Sequence, residues 1–498
     1  MLIFVASRSA RRQKMAKRTK IVATIGPASE SKKVLEEMVK EGMNVARLNF
    51  SHGDFASHEK IVRNIREIGR KLKTPIGIMA DLQGPRIRIS VDKNIKIKKG
   101  EKLFVADEPK APRRRRADYL NSGDKIIYLD GNRITNRIRS GSYILIEDGL
   151  IKLRVARKEK KYLITEVIDG GIIKNNKGVN IPDISSKLGA LTLQDKEVLK
   201  FALDHDVDFV AMSFVRNVQE IEKLKEIIRK NISSKERCLP QIVAKIERKE
   251  AIRNFYGILK ATDIVMVARG DLGIEMPQAE LPILQKEIIA KCLKSAKPVI
   301  VATQMLGSMI NNPRPTRAEI SDVSNAVIDH TDAVMLSGET ASGNYPVESV
   351  KTMREIIEKT EVSPFDNLQH GFLGDQRSTV SAAVAQSAHE LAKDSGAKAI
   401  IVASLSGFTA RMITRHRPEL RTLVITNNKK TFNQLSLVWG VESFILPSCR
   451  TLDELIFKSI ELLKKNKAVK KNERVVIVAG RPHIKKERMS LVKVEEIE

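Results

Sequence analysis

Polar and charged side chains recur in this chain at one kind of place, the end of a short β-branched apolar run. Arg47 and Asn49 fall at the end of Val45–Phe50, Asp81 at the end of Ile76–Leu82 and Ser213 at the end of Asp208–Val215. Lys245 and Glu247 close Gln241–Glu247, Arg269 and Asp271 close Asp263–Asp271, and Thr303 and Gln304 close Lys297–Gln304. Glu247 and Asp271 form the kind of pair that, with waters and phosphate oxygens, holds a hard divalent cation such as Mg²⁺ or Mn²⁺. Lys245 lies two residues before Glu247 and so on the same face of a strand, where an ammonium could neutralise a phosphoryl group in transfer. Arg47 suits a phosphate, and the oxygens of Asn49 and Ser51 suit a hard cation. In Ala268–Gly273 (ARGDLG) small residues mark a strand-to-helix turn whose backbone N–H groups can hold a carboxylate or phosphate, although glycines also close ordinary turns. His52 reads either as a pH-responsive group or as a plain rim residue. The same lysine and carboxylates would equally serve as a structural ion-pair network. Neither a Walker A pattern nor G-x-G-x-x-G occurs, so a nucleotide would have to bind by another route.

The elements that must position these residues are legible as a rhythm. With Lys20–Gly26 and Asp332–Gly338 the strand-like runs number eight, separated by amphipathic helical stretches, one of them opened by the capping-box pair Thr192 and Asp195. Runs that are apolar throughout fit burial on both faces, and eight such strands close a parallel β/α barrel whose carboxyl ends converge on one rim. Strands also finish in polar residues merely because they surface there. That explanation predicts assorted polar types, whereas here acids are set beside Lys and Arg on several separate strands, as an active site requires. Residues 90–181 break the rhythm. They alternate apolar and charged positions, as in Ile144–Ile146 and Tyr162–Val167, and read as a small all-β domain inserted at the rim, able to act as a lid that excludes water. After about residue 360, runs at Lys398–Ser404, Arg421–Asn427, Ser443–Pro447 and Arg474–Gly480 alternate with helices and predict a separate open α/β domain. The expected organisation is a basic tail over residues 1–17, barrel over 18–88 and 182–360, inserted lid over 89–181, and a C-terminal α/β domain over 361–498.

Composition narrows the function classes. A chain of 498 residues is too long for one core. Its 88 Lys and Arg against 60 Asp and Glu give a net charge of +28. The basic residues are spread along the chain apart from Arg113–Arg116, there is one Trp, and no nucleic-acid module is visible, so the charge reads as a field that attracts small acidic substrates rather than as a nucleic-acid surface. Cys238, Cys292 and Cys449 provide neither a disulfide framework nor zinc spacing, which fits a reducing cytoplasm. No apolar run is long enough to span a bilayer, and Leu2–Ala6 is too short for a signal-peptide core. Met15 offers an alternative start; residues 1–14 read as an unstructured basic tail or a short organellar presequence.

These segments resemble the pyruvate kinase family. The match runs through Lys20–Ser29 (KIVATIGPAS), Ala46–Gly53 (ARLNFSHG), Lys177–Pro182 (KGVNIP), Ile246–Glu247, Ala268–Gly273, Ala302–Leu306 (ATQML), Arg314–Glu319 (RPTRAE) and Asp332–Ala341 (DAVMLSGETA), covering about residues 18 to 480. The resemblance implies a barrel, an inserted β lid and a C-terminal regulatory domain. It also implies phosphoryl transfer from phosphoenolpyruvate to ADP, giving pyruvate and ATP as the last step of glycolysis. By resemblance Arg47 holds substrate phosphate, Lys245 stabilises the phosphoryl group in transfer, and Glu247 and Asp271 bind Mg²⁺ or Mn²⁺. The N–H groups of Gly270 and Asp271 receive the substrate carboxylate, and Thr303 stands near the carbon that is protonated, by a water or hydroxyl relay. Asn49, His52, Arg88 and Lys177 hold the nucleotide. Asn49, Ser51, Asp81 and the Leu82 carbonyl form a potassium site. After Asp81, however, the chain reads Leu82-Gln-Gly-Pro-Arg86, close to the form linked with potassium independence, because a fixed cation can replace a bound one. Potassium is therefore expected to be accepted but dispensable; the alternative is that Arg86 simply pairs with a nearby carboxylate. Ser404, Ser406, Gly407, Phe408 and Thr409 resemble a sugar-phosphate effector loop at a helix start. Residues Arg481–Glu498 lack the Gly-Thr-Thr-Asn segment that usually completes that site. Homotetramerisation is implied by resemblance alone. The rival reading is a metal-dependent lyase or aldolase acting on a pyruvate enolate, which would need no nucleotide and no lid; a basic binding protein on a dead barrel is opposed by intact Lys245, Glu247, Asp271 and Thr303.

Overall fold

The computed structural model describes residues 17–51, 53–108, 124–130, 134–147, 149–182, 191–231, 239–368, 379–480 and 489–498. His52 and the Arg113–Arg116 run lie outside the described residues, as does nearly all of the basic tail. All eight expected barrel strands form: Lys20–Ile25, Val45–Asn49, Gly77–Leu82, Phe209–Met212, Gln241–Ile246, Ile264–Ala268, Val299–Ala302 and Ala333–Leu336. They close in that order, every neighbour parallel, with the last strand pairing back onto the first at Lys20↔Ala333. Side chains alternate along each strand. Val22, Val45, Met79, Phe209, Val243, Met266, Ile300 and Met335 fill the barrel interior, while Ile21, Ala23, Leu48, Ile78, Val267 and Val301 pack outward against the helices. Both faces are dry, which is why the strands read as unbroken apolar runs. The box at Thr192 forms as expected, its hydroxyl and the Asp195 carboxylate each accepting the other's backbone N–H.

Between the third and fourth barrel strands the chain builds a second, smaller closed barrel. Its strands are Ile87–Ser90, Lys102–Asp107, Ile126–Leu129, Tyr143–Ile146, Ile151–Lys158, Tyr162–Asp169 and Gly178–Asn180. It has its own core of Ile, Leu and Val, including Leu103, Ile144, Leu153 and Leu163. A two-stranded ribbon of Ile95–Ile97 and Gly171–Ile173 flanks it.

The C-terminal domain carries four parallel strands, Ala399–Ala403, Arg421–Thr426, Val441–Ile445 and Arg474–Gly480, and a fifth, Met489–Glu496, antiparallel at the edge. That edge strand was not anticipated. Its Lys493 and Glu495 alternate with Val492 and Val494, a pattern that marks a half-exposed edge and is hard to tell from a charged tail. The domain sits across the amino-terminal end of the large barrel, opposite the rim. Leu437 enters the barrel's own interior cluster. Gln434 Nε2 donates to the carbonyls of Asp208 (3.2 Å) and Leu239 (2.8 Å). Lys20 Nζ donates to Val441 O at 2.9 Å. Leu437 is fully buried, so Leu437→Ala is expected to destabilise the chain by about 2–5 kcal/mol. A denaturant midpoint unchanged from wild type would show that the barrel floor does not depend on it.

Candidate active site

At the rim, neighbouring strand ends bring Asn49 opposite Asp81 and Asp81 opposite Ala211. Lys245 is the hub. Its ammonium donates to Ser213 Oγ at 2.7 Å and lies 3.0 Å from Glu247 Oε1 and 3.3 Å from Asp81 Oδ1. Arg47 completes the cluster, with Nε and Nη2 each 2.7 Å from Asp81 Oδ2 and Nη1 donating to Thr24 Oγ1 at 2.9 Å. Burial alone would raise the Asp81 carboxyl, but Lys245 and Arg47 outweigh it and hold the group below its ordinary range. Burial likewise opposes the charged Lys245, yet Asp81 and Glu247 raise it above an ordinary lysine. Glu247 is pushed up by its burial and by Asp271, against the pull of Lys245. Its Oε2 accepts the Phe214 N–H at 2.6 Å. Its Oε1 is close to Lys245 but outside hydrogen-bonding geometry, so a buried carboxylate oxygen is left with capacity for a further ligand.

Asp271 is not on the sixth strand, as the run Asp263–Asp271 implied. The strand ends at Ala268, and Arg269–Glu275 is already helical, which places Asp271 in the first turn. Its Oδ2 lies 3.6 Å from Arg86 Nη2. A cleft of about 550 Å³ opens here between the two barrels, lined by Arg86, Asp271, Phe214 and Arg248 from the large barrel side and by Gly178 and Asn180 from the small barrel. Glu247 and Asp271 fit a divalent cation that takes its other ligands from substrate and water. Among the described residues no set of three or more His, Cys, Asp or Glu could cage a metal unaided.

Thr303 and Gln304 adopt left-handed backbone conformations, φ +71° and +54°. For a β-branched residue this is a strained state of the kind that collects at functional sites. Two contacts hold it. Gly270 N donates to Thr303 Oγ1 at 2.8 Å, and Arg269 Nη2 donates to Thr303 O at 2.7 Å. Arg269 is itself fixed by both oxygens of Asp322, each at 2.7 Å. Of the two N–H groups expected to meet a carboxylate, that of Gly270 is thus engaged by Thr303.

The proposed nucleotide and potassium residues are placed less uniformly. Arg88 lies on a strand of the small barrel and Lys177 immediately before the strand that pairs with it, Arg88 Nη1 donating to Asn176 O at 3.1 Å and Lys177 pairing with Glu147 at 2.6 Å. Asn49 Oδ1 accepts from Ser51 N at 3.2 Å, and Leu82 O accepts from Ser213 Oγ at 2.6 Å. The Ser404–Thr409 loop lies far along the chain in the other domain, turning at Gly407 (φ +77°) into the helix Phe408–Thr414, with Ser404 Oγ buried and without a hydrogen-bond partner. Thr24, Phe214 and Asp322 were missed as site residues. Thr24 could have been found from its place at the end of the first strand; Asp322, within the helix Arg317–Ile328, carried no such signal.

A family model for the pyruvate kinase barrel domain matches residues 16–350, and one for the pyruvate kinase alpha/beta domain matches residues 382–495. The chain is 41% identical over 477 residues to the pyruvate kinase of Geobacillus stearothermophilus, covering 94% of this chain and 78% of that one. It is 39% identical over 472 residues to pyruvate kinase 2 of Synechocystis sp., covering 94% and 77%. A solved pyruvate kinase from Cryptosporidium parvum superimposes with a TM-score of 0.87 at 34% identity, covering 97% of this chain and 96% of that one. Together with the three-part fold, these matches place the chain among the barrel-built phosphotransferases. Within that class it belongs to the pyruvate kinase family. Its reaction is phosphoryl transfer from phosphoenolpyruvate to ADP, a glycolytic step, and the lyase or aldolase alternative finds no support. Among the described residues no helix is long and apolar enough to cross a membrane.

The buried cluster has a signed pH consequence. Lys245, raised in the fold, contributes stability that is fully present below its unfolded value near 10.4 and is lost as pH rises through the higher folded value. The stability gap between wild type and Lys245→Met should hold from about pH 8 to about pH 10 and then shrink. Urea midpoints that keep a constant gap well above that range would contradict it.

Proposed function

We propose that this enzyme works with Mg²⁺ or Mn²⁺ at Glu247 and Asp271 and without a requirement for potassium. The observation that carries the metal assignment is the buried Glu247 Oε1, which has no hydrogen-bond partner besides its ion pair with Lys245 and belongs to a carboxylate close enough to Asp271 for the two charges to interact. A bound divalent ion would supply positive charge to the phosphoryl oxygens. Arg47, pre-aligned by Asp81 and Thr24, would orient the substrate phosphate. Lys245, kept charged by two carboxylates, would meet the negative charge that builds on the phosphoryl group in transfer. The Thr303 hydroxyl accepts from Gly270, so its own hydrogen is left to serve an acceptor near the enolate carbon, directly or through water. Gly270 and Asp271 would sit beside the substrate carboxylate. Asn49, His52, Arg88 and Lys177 would hold ADP, the last two by exchanging Asn176 and Glu147 for phosphate oxygens.

Potassium independence is supported by where the expected ligands already point. Asp81 is engaged by Arg47 and Lys245, Leu82 O by Ser213 and Asn49 Oδ1 by Ser51 N. Arg86 pairs with a carboxylate, that of Asp271, as the alternative reading had it, and would still supply a fixed cation at the rim. Family membership further supports a cytoplasmic homotetramer with a sugar-phosphate or nucleotide effector at Ser404, Ser406, Gly407, Phe408 and Thr409.

Pyruvate formation from phosphoenolpyruvate and ADP with Mg²⁺ is expected at full rate in potassium-free buffer. Arg86→Glu should make it potassium-dependent, and Lys245→Met should lower kcat by about 10²–10³-fold. A wild type that is silent until potassium is added would overturn the potassium reading while leaving the reaction in place.

A further inference from the structure

At the base of the large barrel, away from the rim, a small cleft lies between the segment Leu293–Pro298 and the C-terminal domain's helix Phe408–Thr414 with the turn after it. Four cationic side chains line it: Lys297 from the barrel, whose ammonium already donates to the Thr262 and Lys260 carbonyls, and Arg411, Arg415 and Arg417 from the C-terminal domain. One carboxylate, Asp332, shares the lining, and it is already committed. Its Oδ1 accepts from Arg417 Nη1 at 3.1 Å and from Trp439 N at 3.3 Å, and its Oδ2 accepts from Val299 N at 3.0 Å. Asp263, whose charge reaches Lys297, has Oδ2 accepting from Ile242 N at 2.9 Å.

Arg415 is the least compensated of the four. It is 6% exposed, and its acceptors, Lys294 O and His416 Nε2, both stand at 3.5 Å, the limit of a hydrogen bond. Among the described residues no carboxylate pairs with it, and burial pushes its guanidinium below the ordinary value with nothing to offset the shift. Arg417, 7% exposed, buries an Nε–H that has no acceptor. Buried cations in excess of carboxylates are strongly unfavourable unless an anion is supplied.

We propose that this cleft binds a phosphate-class oxyanion, as inorganic phosphate or as the phosphoryl group of a small ester, through Arg415 and Arg417 with Lys297 and Arg411 completing the site. Guanidinium groups match the oxygens of a phosphoryl group in charge and geometry, which favours a phosphate group as the part of any ligand that is held. Because Lys297 belongs to the barrel and the arginines to the C-terminal domain, a bound anion ties the two together. Arg411 Nη1 also donates to Ser406 O at 3.3 Å, so the cleft neighbours the Ser404–Thr409 loop without including it.

The test is calorimetric titration of the full chain with inorganic phosphate at constant ionic strength, with a hexose monophosphate titrated in a parallel arm. Thr409→Ala in the loop and Arg47→Gln at the rim keep the other phosphate-binding regions separable. Saturable binding is expected that Arg415→Gln weakens by about tenfold or more, 1.4 kcal/mol, and that neither Thr409→Ala nor Arg47→Gln removes. If Arg415→Gln does not fold, Lys297→Gln on the barrel side gives the same reading. Tighter binding of the ester identifies a metabolite as the source, and equal or tighter binding of phosphate identifies the free ion. Absence of saturable binding, or binding that both cleft variants leave unchanged, overturns the proposal.

Discussion

Burying an ammonium in a barrel rim is unfavourable by several kcal/mol unless carboxylates and hydrogen bonds meet it. Lys245 is 7% exposed, and the groups that meet it come from three strand ends: Asp81 from the third, Ser213 beyond the fourth and Glu247 beyond its own, the fifth. The contacts to Asp81 and Ser213 do not survive a slip of register in the sheet, since a shift by one residue would turn the facing side chains to opposite faces, whereas Glu247, two residues along the same strand, moves with Lys245. The parallel closure of eight strands and the charge state of the site are therefore one constraint. Asp81 is doubly bound to it, because it also orients Arg47.

A second layer of order surrounds this cluster and is made of strain that is held in place. Phe214, Thr303 and Gln304 all have positive φ, and all follow barrel strands at the rim. Phe214 thereby turns its N–H to Glu247, and Thr303 turns its hydroxyl to Gly270. Arg269, held by Asp322, secures the Thr303 carbonyl from behind. Positions that are locally unfavourable are retained where they aim polar groups at one cleft, the usual physical reason for such outliers.

At the opposite end the barrel is not self-sufficient. Leu437 fills its floor, and a band of charge knits the domains together. Arg18 lies 3.0 Å from Asp366 and stacks 5.0 Å from the Trp439 ring, while Arg417 stacks 4.9 Å from the same ring. Burial raises Asp366 to about 7 and lowers His330 to about 4. The C-terminal domain is thus part of the barrel's packing, and the cation-rich cleft lies within the same seam.

Much of this was legible in the chain itself. Eight apolar runs, two-sided burial, an inserted alternating segment and a later α/β rhythm all follow from period and hydrophobicity, which act locally. Lys245 and Glu247 were legible as a pair because two residues along a strand is one face. Other features were beyond reach because they depend on who arrives from elsewhere in the fold. The edge strand Met489–Glu496 looks like a charged tail until Arg474–Gly480 pairs with it. The helical start at Arg269 moves Asp271 off its strand, and only closure sets Arg86 beside that carboxylate. Asp322 becomes a support for Thr303 only once a helix more than fifty residues from Arg269 packs behind the rim. Sequence by itself determined the elements and the types of chemistry available, because those rest on side-chain identity and short-range spacing. The tertiary structure alone decided which charges face one another and which remain uncompensated, because electrostatic energies in a dry interior depend on distance and burial rather than on order along the chain.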